Sequence, residues 1–265
     1  TIAEKICTEL KLRNDPVFIF AVCGRSSSTA LQRILNSSNE IFLWGEQHFL
    51  LEDTLNIFSS SLKLSSEANI INDIHELKQS FDINCHKKYY PNATGNIGLF
   101  QRSLIEAVIN NIRPANYIKR FGFKDIRIKS INYLQVLNEL FPSSKFVFLF
   151  RHPETQWISV QHHGFWQYSK DLNLFLEEYS RISDIYLRFF SDCPNAIFIE
   201  NKDFQTSAKW KNLLNFLKVN SVNENILNLK IKTTSISSKI VPASESEQIR
   251  KHRAMELYTE MKNNS

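Results

Sequence analysis

Short unbroken apolar runs, separated by stretches with helical periodicity, dominate the chain. Val17 to Cys23, Lys145 to Phe150 and Ala196 to Glu200 are rich in Phe, Val or Ile and stop where polar residues begin. That is the pattern of strands buried on both faces of a parallel sheet. Phe121 to Lys124 reads as a weaker fourth strand and Ile41 to Leu43 as a fifth. Between them, Ile131, Leu134, Leu137 and Leu140 recur every third residue, while Trp210, Leu213, Leu214 and Leu217 follow the i, i+3, i+4, i+7 face of a helix. Leu172 to Phe190 predicts a long helix closed off by Pro194, Ser235 to Pro242 a loop, and Glu245 to Met261 a last amphipathic helix. The run Arg250-Lys251-His252-Arg253 on that last helix reads as a solvated face. The alternation of strand and helix predicts an α/β chain with a parallel central sheet flanked by helices.

Phe49 to Asn116 differs in character. Its apolar clusters are divided by Ser-rich and Asn-rich pieces and by Lys87-Lys88-Tyr89-Tyr90-Pro91, and it contains no clear strand. It predicts a helical insertion over the end of the sheet, where a substrate lid belongs in open α/β folds. A helical layer that never meets substrate is the equal alternative. The length of 265 residues suits a single domain, 1–265, that includes this insertion.

Composition excludes some classes. No apolar run approaches the roughly 20 residues of a membrane-spanning helix, and Glu4, Lys5, Glu9 and Lys11 are wrong for the core of a secretory signal. The four cysteines are scattered without a CxxC pair, so neither a zinc site nor a disulfide framework is indicated. The expectation is therefore a cytoplasmic protein with no membrane partner and no metal requirement. The glycosylation-type triplets at Asn36, Asn92 and Asn263 are chance matches in an Asn-rich chain. A net charge of +5 suits a small anionic ligand at least as well as nucleic acid, and no nucleic-acid partner is required.

The chemistry concentrates first in PVFIFAVCGRSSSTALQRIL, which reads as strand, turn and helix. A helix start offers unpaired N–H groups and the positive end of the helix dipole to an anion. Ser26, Ser27, Ser28 and Thr29 add hydroxyls and Arg25 adds a fixed positive charge. A Ser/Thr cluster at a helix start is ordinarily only capping, but one cap needs one residue, and four beside an arginine point to an anion site. The nucleoside-triphosphatase loop pattern fails for want of a Lys-Ser or Lys-Thr pair, and a dinucleotide fingerprint fails because Gly24 is the only glycine of the turn. A second candidate is KFVFLFRHPETQWISV, where Arg151 ends a strand and Ser159 follows two helical turns on, so that both can converge on one phosphate. A surface arginine and an exposed serine would be the ordinary alternative.

CGRSSSTALQRIL resembles the 5'-phosphosulfate loop of sulfotransferases that use 3'-phosphoadenosine 5'-phosphosulfate (PAPS). The likeness is to the branch written roughly C-P-R-S-G-T-T-L-L-Q-x-I-L, with Arg25, Ser26, Thr29 and Gln32 at matching places. Gly24 stands where that branch has Pro, and Ser27 where it has Gly. The second segment is similar to the family's 3'-phosphate motif, R-D-P-x-x-x-x-x-S, with His152 for Asp. FGFKDIRI and AIFIENKDF are similar to two further family stretches, in the same order. The bacterial and tyrosylprotein-type branches with a carboxylate base are the nearest.

The resemblance implies a P-loop-like sulfotransferase fold with PAPS as co-substrate, the nucleotide PAP as product, and no metal. It implies a donor site of Arg25, Ser26, Ser27, Ser28 and Thr29, with Arg151 and Ser159 on the 3'-phosphate and Lys239, in SISSKIVP, as a late phosphate contact. Arg25 and Lys124 become the electrostatic pair. In LWGEQHF, Glu46 is the leading base and His48 the alternative used by other branches; a base must lie within hydrogen-bond reach of the acceptor proton. The acceptor is expected to be a small molecule, such as a natural product of secondary metabolism, taken at oxygen or nitrogen. A sugar or peptide acceptor, a kinase-like phosphotransferase using ATP, and a non-catalytic anion-binding module remain as alternatives. His162 to Tyr168 has the makeup of an acceptor pocket, with core packing of Trp157, Phe165 and Trp166 equally expected.

Overall fold

A computed structural model describes residues 1–47, 49–68, 97–114, 118–164, 167–205, 207–223, 225–228 and 241–265. Among them, five parallel strands form one sheet in the order β2-β3-β1-β4-β5. The strands are β1 (Val17–Ala21), β2 (Ile41–Trp44), β3 (Arg120–Asp125), β4 (Lys145–Phe150) and β5 (Ala196–Glu200). The helices are α1 (Ile2–Glu9), α2 (Ser28–Asn36), α3 (Leu50–Ala68), α4 (Ile97–Ile112), α5 (Ile131–Leu140), α6 (Pro153–His163), α7 (Leu172–Asp192), α8 (Ser207–Leu217), α9 (Asn225–Asn228), α10 (Ala243–Lys251) and α11 (Arg253–Asn263).

Strand alternation divides the core in two. On one face, Phe18, Phe20, Phe123, Phe146, Phe148 and Phe198 pack under α1, α3 to α7, α10 and α11. On the other, Val17, Ile19, Ala21, Val147 and Leu149 pack under α2 and α8. Every residue of β1 is fully buried, and full burial of such side chains contributes roughly 1.5–3 kcal/mol each relative to exposure. This central position, with a strand on either side and helices over both faces, requires an apolar residue at every place of β1. Gly122 of β3 admits no side chain, because a Cβ there would lie 1.7 Å from the carbonyl oxygen of Val17. The close approach of β1 and β3 therefore depends on glycine.

Besides shifts of one or two residues at β2, β3 and α7, three predicted boundaries change for reasons the backbone shows. β1 stops at Ala21 rather than Cys23, because the backbone turns into positive φ at Cys23. The last helix is two: His252 is extended (φ −83°, ψ 146°), and its ring Nδ1 accepts the N–H of Ala254, capping α11. Helical periodicity survives the break because both helices bury apolar residues on the same core, Ile249 from α10 and Ala254, Tyr258 and Met261 from α11. α2 begins at Ser28, so Ser28 and Thr29 are its first residues rather than part of the preceding turn.

Within the predicted insertion, the described residues form α3 and α4, which bury Leu51, Leu55, Phe58, Ile105, Val108 and Ile109 in the larger core. Buried Glu52 of α3 accepts the N–H groups of Lys129 and Ser130 at the start of α5. Both helices thus pack into the core. Residues 69–96 lie outside the described residues, as do Lys239 and residues 235–240 of the predicted loop.

Candidate active site

In a parallel sheet all strands end on one edge, so strand order decides what meets there. Crossing that edge from β2 gives Glu46 just after β2, Lys124 near the end of β3, the Cys23 to Ser27 turn after β1, Arg151 after β4, and Glu200 with Asn201 at the end of β5.

The turn after β1 alternates in backbone sign. Cys23 (φ 59°), Arg25 (φ 70°) and Ser27 (φ 74°) are left-handed, and Gly24 and Ser26 between them are not. Such alternation turns successive N–H groups toward one concavity, an anion-binding nest. A left-handed non-glycine residue costs roughly 1–2 kcal/mol, so surrounding contacts must hold the turn. Gln156 of α6, fully buried, supplies two of them: its Nε2 donates to the carbonyls of Val22 (2.6 Å) and Gly24 (2.7 Å), on either side of Cys23. The N–H of Gly24 donates to the hydroxyl of Tyr168 at 3.3 Å, a bond that proline could not make. Ser27, in the position where glycine was expected, caps α2 without a side-chain hydrogen bond; its Oγ accepts from Asn201 Nδ2 at 3.4 Å.

The backbone N–H groups of Arg25, Ser26, Ser27, Ser28 and Thr29 find no acceptor among the described residues. The two arginines converge on the same place. Arg25 Nε donates to Oγ of buried Ser159 at 3.2 Å, and Arg151 donates to the carbonyl of Arg25 (3.2 Å) and to Thr155 Oγ1 (3.1 Å). Neither guanidinium pairs with a carboxylate among the described residues. Burial pulls both below the usual arginine range, and for Arg151 the charge of Arg25 adds to it. Two adjoining cations and a set of unused N–H donors are what a polyanion such as PAPS requires, so the residues present fit it.

At the other end of the row, Lys124 Nζ donates to Glu46 Oε1 at 2.7 Å, and Arg127 approaches Glu46 Oε2 at 3.9 Å. Asp125, buried next to Lys124, accepts the N–H of Gln47 at 3.2 Å and those of Ile126 and Arg127. It thereby anchors the segment that carries Glu46. Burial raises the carboxyl pKa of Asp125 against the effect of those donors. His48 lies outside the described residues. Beside this end opens a cavity of about 810 Å³, lined by Phe49, Ile126, Arg127, Tyr168, Leu174 and Glu177 among others. A smaller cavity of about 350 Å³ adjoins Arg151 and is lined by His152, Thr155, Glu200, Asn201 and Tyr258.

The fold thus brings Arg25 to Thr29, Arg151 and Ser159 together, and places Lys124 against Glu46. Trp157 packs on Phe175 in the core and donates from Nε1 to Glu245, so it is a core residue; Phe165 and Trp166 are outside the described residues. Sequence reasoning missed Gln156 and Asp125; Tyr168, read as part of an acceptor pocket, does line the larger cavity and in addition holds Gly24. The only signal for Gln156 was a polar residue on the buried side of α6, and for Asp125 its adjacency to Lys124. Cys7, Cys23 and Cys193 are buried and unbridged, and burial raises the pKa of the Cys23 thiol. Among the described residues there is no His/Cys/Asp/Glu group suited to a metal ion and no helix long and apolar enough to cross a membrane.

The profile of a family described as the sulfotransferase family matches residues 16–200, from the start of β1 to the end of β5. Among solved structures, the sulfotransferase domain from the Synechococcus PCC 7002 olefin synthase is 15% identical, with 94% of each chain covered and a TM-score of 0.51. A sulfotransferase from Alicyclobacillus acidocaldarius is 12% identical, again with 94% of each chain covered, with a TM-score of 0.52. At such identities the likeness is one of fold. No curated protein matches the chain.

Proposed function

The chain belongs to the sulfotransferase family, and we propose that it transfers a sulfuryl group from PAPS to a hydroxyl or nitrogen of a small-molecule acceptor, releasing PAP. The observation that carries this is the row along the sheet edge: Arg151, the N–H nest with Arg25, Lys124 and the carboxylate of Glu46, in that order, with neither arginine paired to a carboxylate among the described residues. The loop residues Arg25 to Thr29 hold the phosphosulfate end of the donor. Arg151 and Ser159 hold its 3'-phosphate, and the acceptor occupies the 810 Å³ cavity lined by Arg127, whose guanidinium stands 3.9 Å from Glu46.

When bound, PAPS supplies a sulfuryl group already joined to a phosphate leaving group. Glu46 takes the proton from the acceptor O–H or N–H as the new bond to sulfur forms, a contribution of about 10²–10⁴ in rate for a well-placed base. The sulfur–oxygen bond to the 5'-phosphate breaks and its electron pair stays on that phosphate, where Arg25 and Lys124 place positive charge. Removing one such preorganised donor typically costs about 10²–10³ in turnover. Gln156, Tyr168 and Asp125 act through others: the first two hold the turn, and the third holds the segment bearing Glu46.

The decisive experiment is a calorimetric titration with PAP in the absence of metal, followed by transfer from labelled PAPS across an acceptor screen. PAP is expected to bind, and Arg151→Ala to weaken it about 10- to 100-fold, the scale of one or two charge-assisted hydrogen bonds. Unchanged affinity would remove Arg151 from the donor site. Binding of ATP with magnesium, without binding of PAP, would replace sulfuryl transfer by phosphoryl transfer.

A further inference from the structure

Lys124 occupies the strand between its two neighbours of opposite kind. β3 lies between β2, which leads to Glu46, and β1, which leads to the anion nest, and Lys124 is in register with Ile19 of β1. Its side chain is 5% exposed, that of Glu46 22%. The ammonium is therefore confined beside the carboxylate, on the strand that separates β2 from the strand leading to the nest. It donates to the carboxylate at 2.7 Å, while Arg127 stands 3.9 Å from the second oxygen. A carboxylate that faces cations at both oxygens is poorly placed to receive an acceptor's proton. A lysine held by a carboxylate is equally poorly placed to neutralise a leaving group.

We propose that the Lys124–Glu46 pair is a donor-operated latch: the sulfonate of the donor draws Lys124 away from Glu46, so the base is released only after the donor is in place. This rests on the donor and base assignments made above. The sulfonate competes with Glu46 for a single ammonium, so part of its binding energy is spent on opening the pair. The coupling is reciprocal, as linkage requires: whatever weakens the pair strengthens binding of the sulfonated donor. PAP carries the 5'-phosphate that Lys124 serves and competes for the ammonium as well, whereas adenosine 3'-phosphate, which has no 5' anion, does not. The arrangement imposes an order, donor before acceptor, and it keeps Glu46 from acting as a base while the nest is empty. Asp125, which accepts the N–H of Gln47, keeps the segment bearing Glu46 in place when Lys124 leaves.

The test is a set of titrations without acceptor, with PAPS, PAP and adenosine 3'-phosphate, on the wild-type chain and on Glu46→Gln. The expected result is PAPS and PAP binding tightened about tenfold by the substitution, within the usual range of coupling between sites, with adenosine 3'-phosphate affinity unchanged within about twofold. Glu46→Asp, which keeps the charge but withdraws it by one methylene, is expected to tighten PAPS binding by a smaller factor and serves if the glutamine variant folds poorly. Equal PAPS affinities for wild type and both variants, with PAP still bound, would overturn the latch and leave the donor assignment standing. Failure of the wild-type chain to bind PAP would overturn both.

Discussion

Gln156 offers the sharpest test of how the loop is held, because it is buried, remote from any reacting atom and bonded only through its amide nitrogen. Gln156→Met keeps the length of the side chain and removes both hydrogen bonds to the carbonyls of Val22 and Gly24. A buried carbonyl left without a donor costs roughly 1–3 kcal/mol, so the two together cost about 2–6. The substitution also removes Gln156 Oε1, which is buried without a partner among the described residues and by the same rule already costs roughly 1–3 kcal/mol. The net expectation is a destabilisation of about 1–3 kcal/mol. For a chain of this size that lowers the melting temperature by about 2–12 °C. Urea denaturation followed by circular dichroism measures it, provided the slope is unchanged. PAP affinity is expected to fall as well, because the residue between the two carbonyls, Cys23, is left-handed and loses the clamp on both sides. A Gln156→Met chain within about 0.5 kcal/mol of wild type would refute the idea that this amide sustains the turn.

Two further outcomes follow from the same turn and its surroundings. Ser27→Gly is expected to be more stable than Ser27→Ala by roughly 0.5–1 kcal/mol, because only glycine escapes the left-handed penalty while losing some of that gain to its freer unfolded state; denaturation of both variants side by side would show it, and equal stabilities would mean the φ of 74° carries no strain. Burial lowers the pKa of His152 from its ordinary 6.5, more than Glu154 and Glu200 raise it. The unfolded chain therefore takes up the proton first as pH falls, and the stability that the neutral ring contributes is present above about pH 6.5 and lost as pH drops toward its folded value. His152→Gln should flatten the stability profile in that window, and a profile identical to wild type would assign the acid sensitivity elsewhere.

Much of this protein is written locally. β4 and β5 match their apolar runs, because a strand buried on both faces must be apolar throughout. The cluster of arginine and hydroxyls at the helix start is legible for a similar reason: helix ends leave donors that only certain residue types exploit. Other features are not visible in any window of sequence. The extended backbone at His252 leaves the apolar periodicity of α10 and α11 intact, and Ser27 shows nothing of its left-handed φ, since serine is also an ordinary cap. Gln156 reads as one polar residue in a helix until α6 is laid against β1. Above all, the lateral order of parallel strands is set by crossover connections and by which faces pack together. Only that order, with β3 between β2 and β1, stations Lys124 between the carboxylate and the nest. Residue types named the candidate groups; the tertiary fold decided which of them are neighbours, because their contacts join residues 78 positions apart at Glu46 and Lys124 and 134 apart at Arg25 and Ser159.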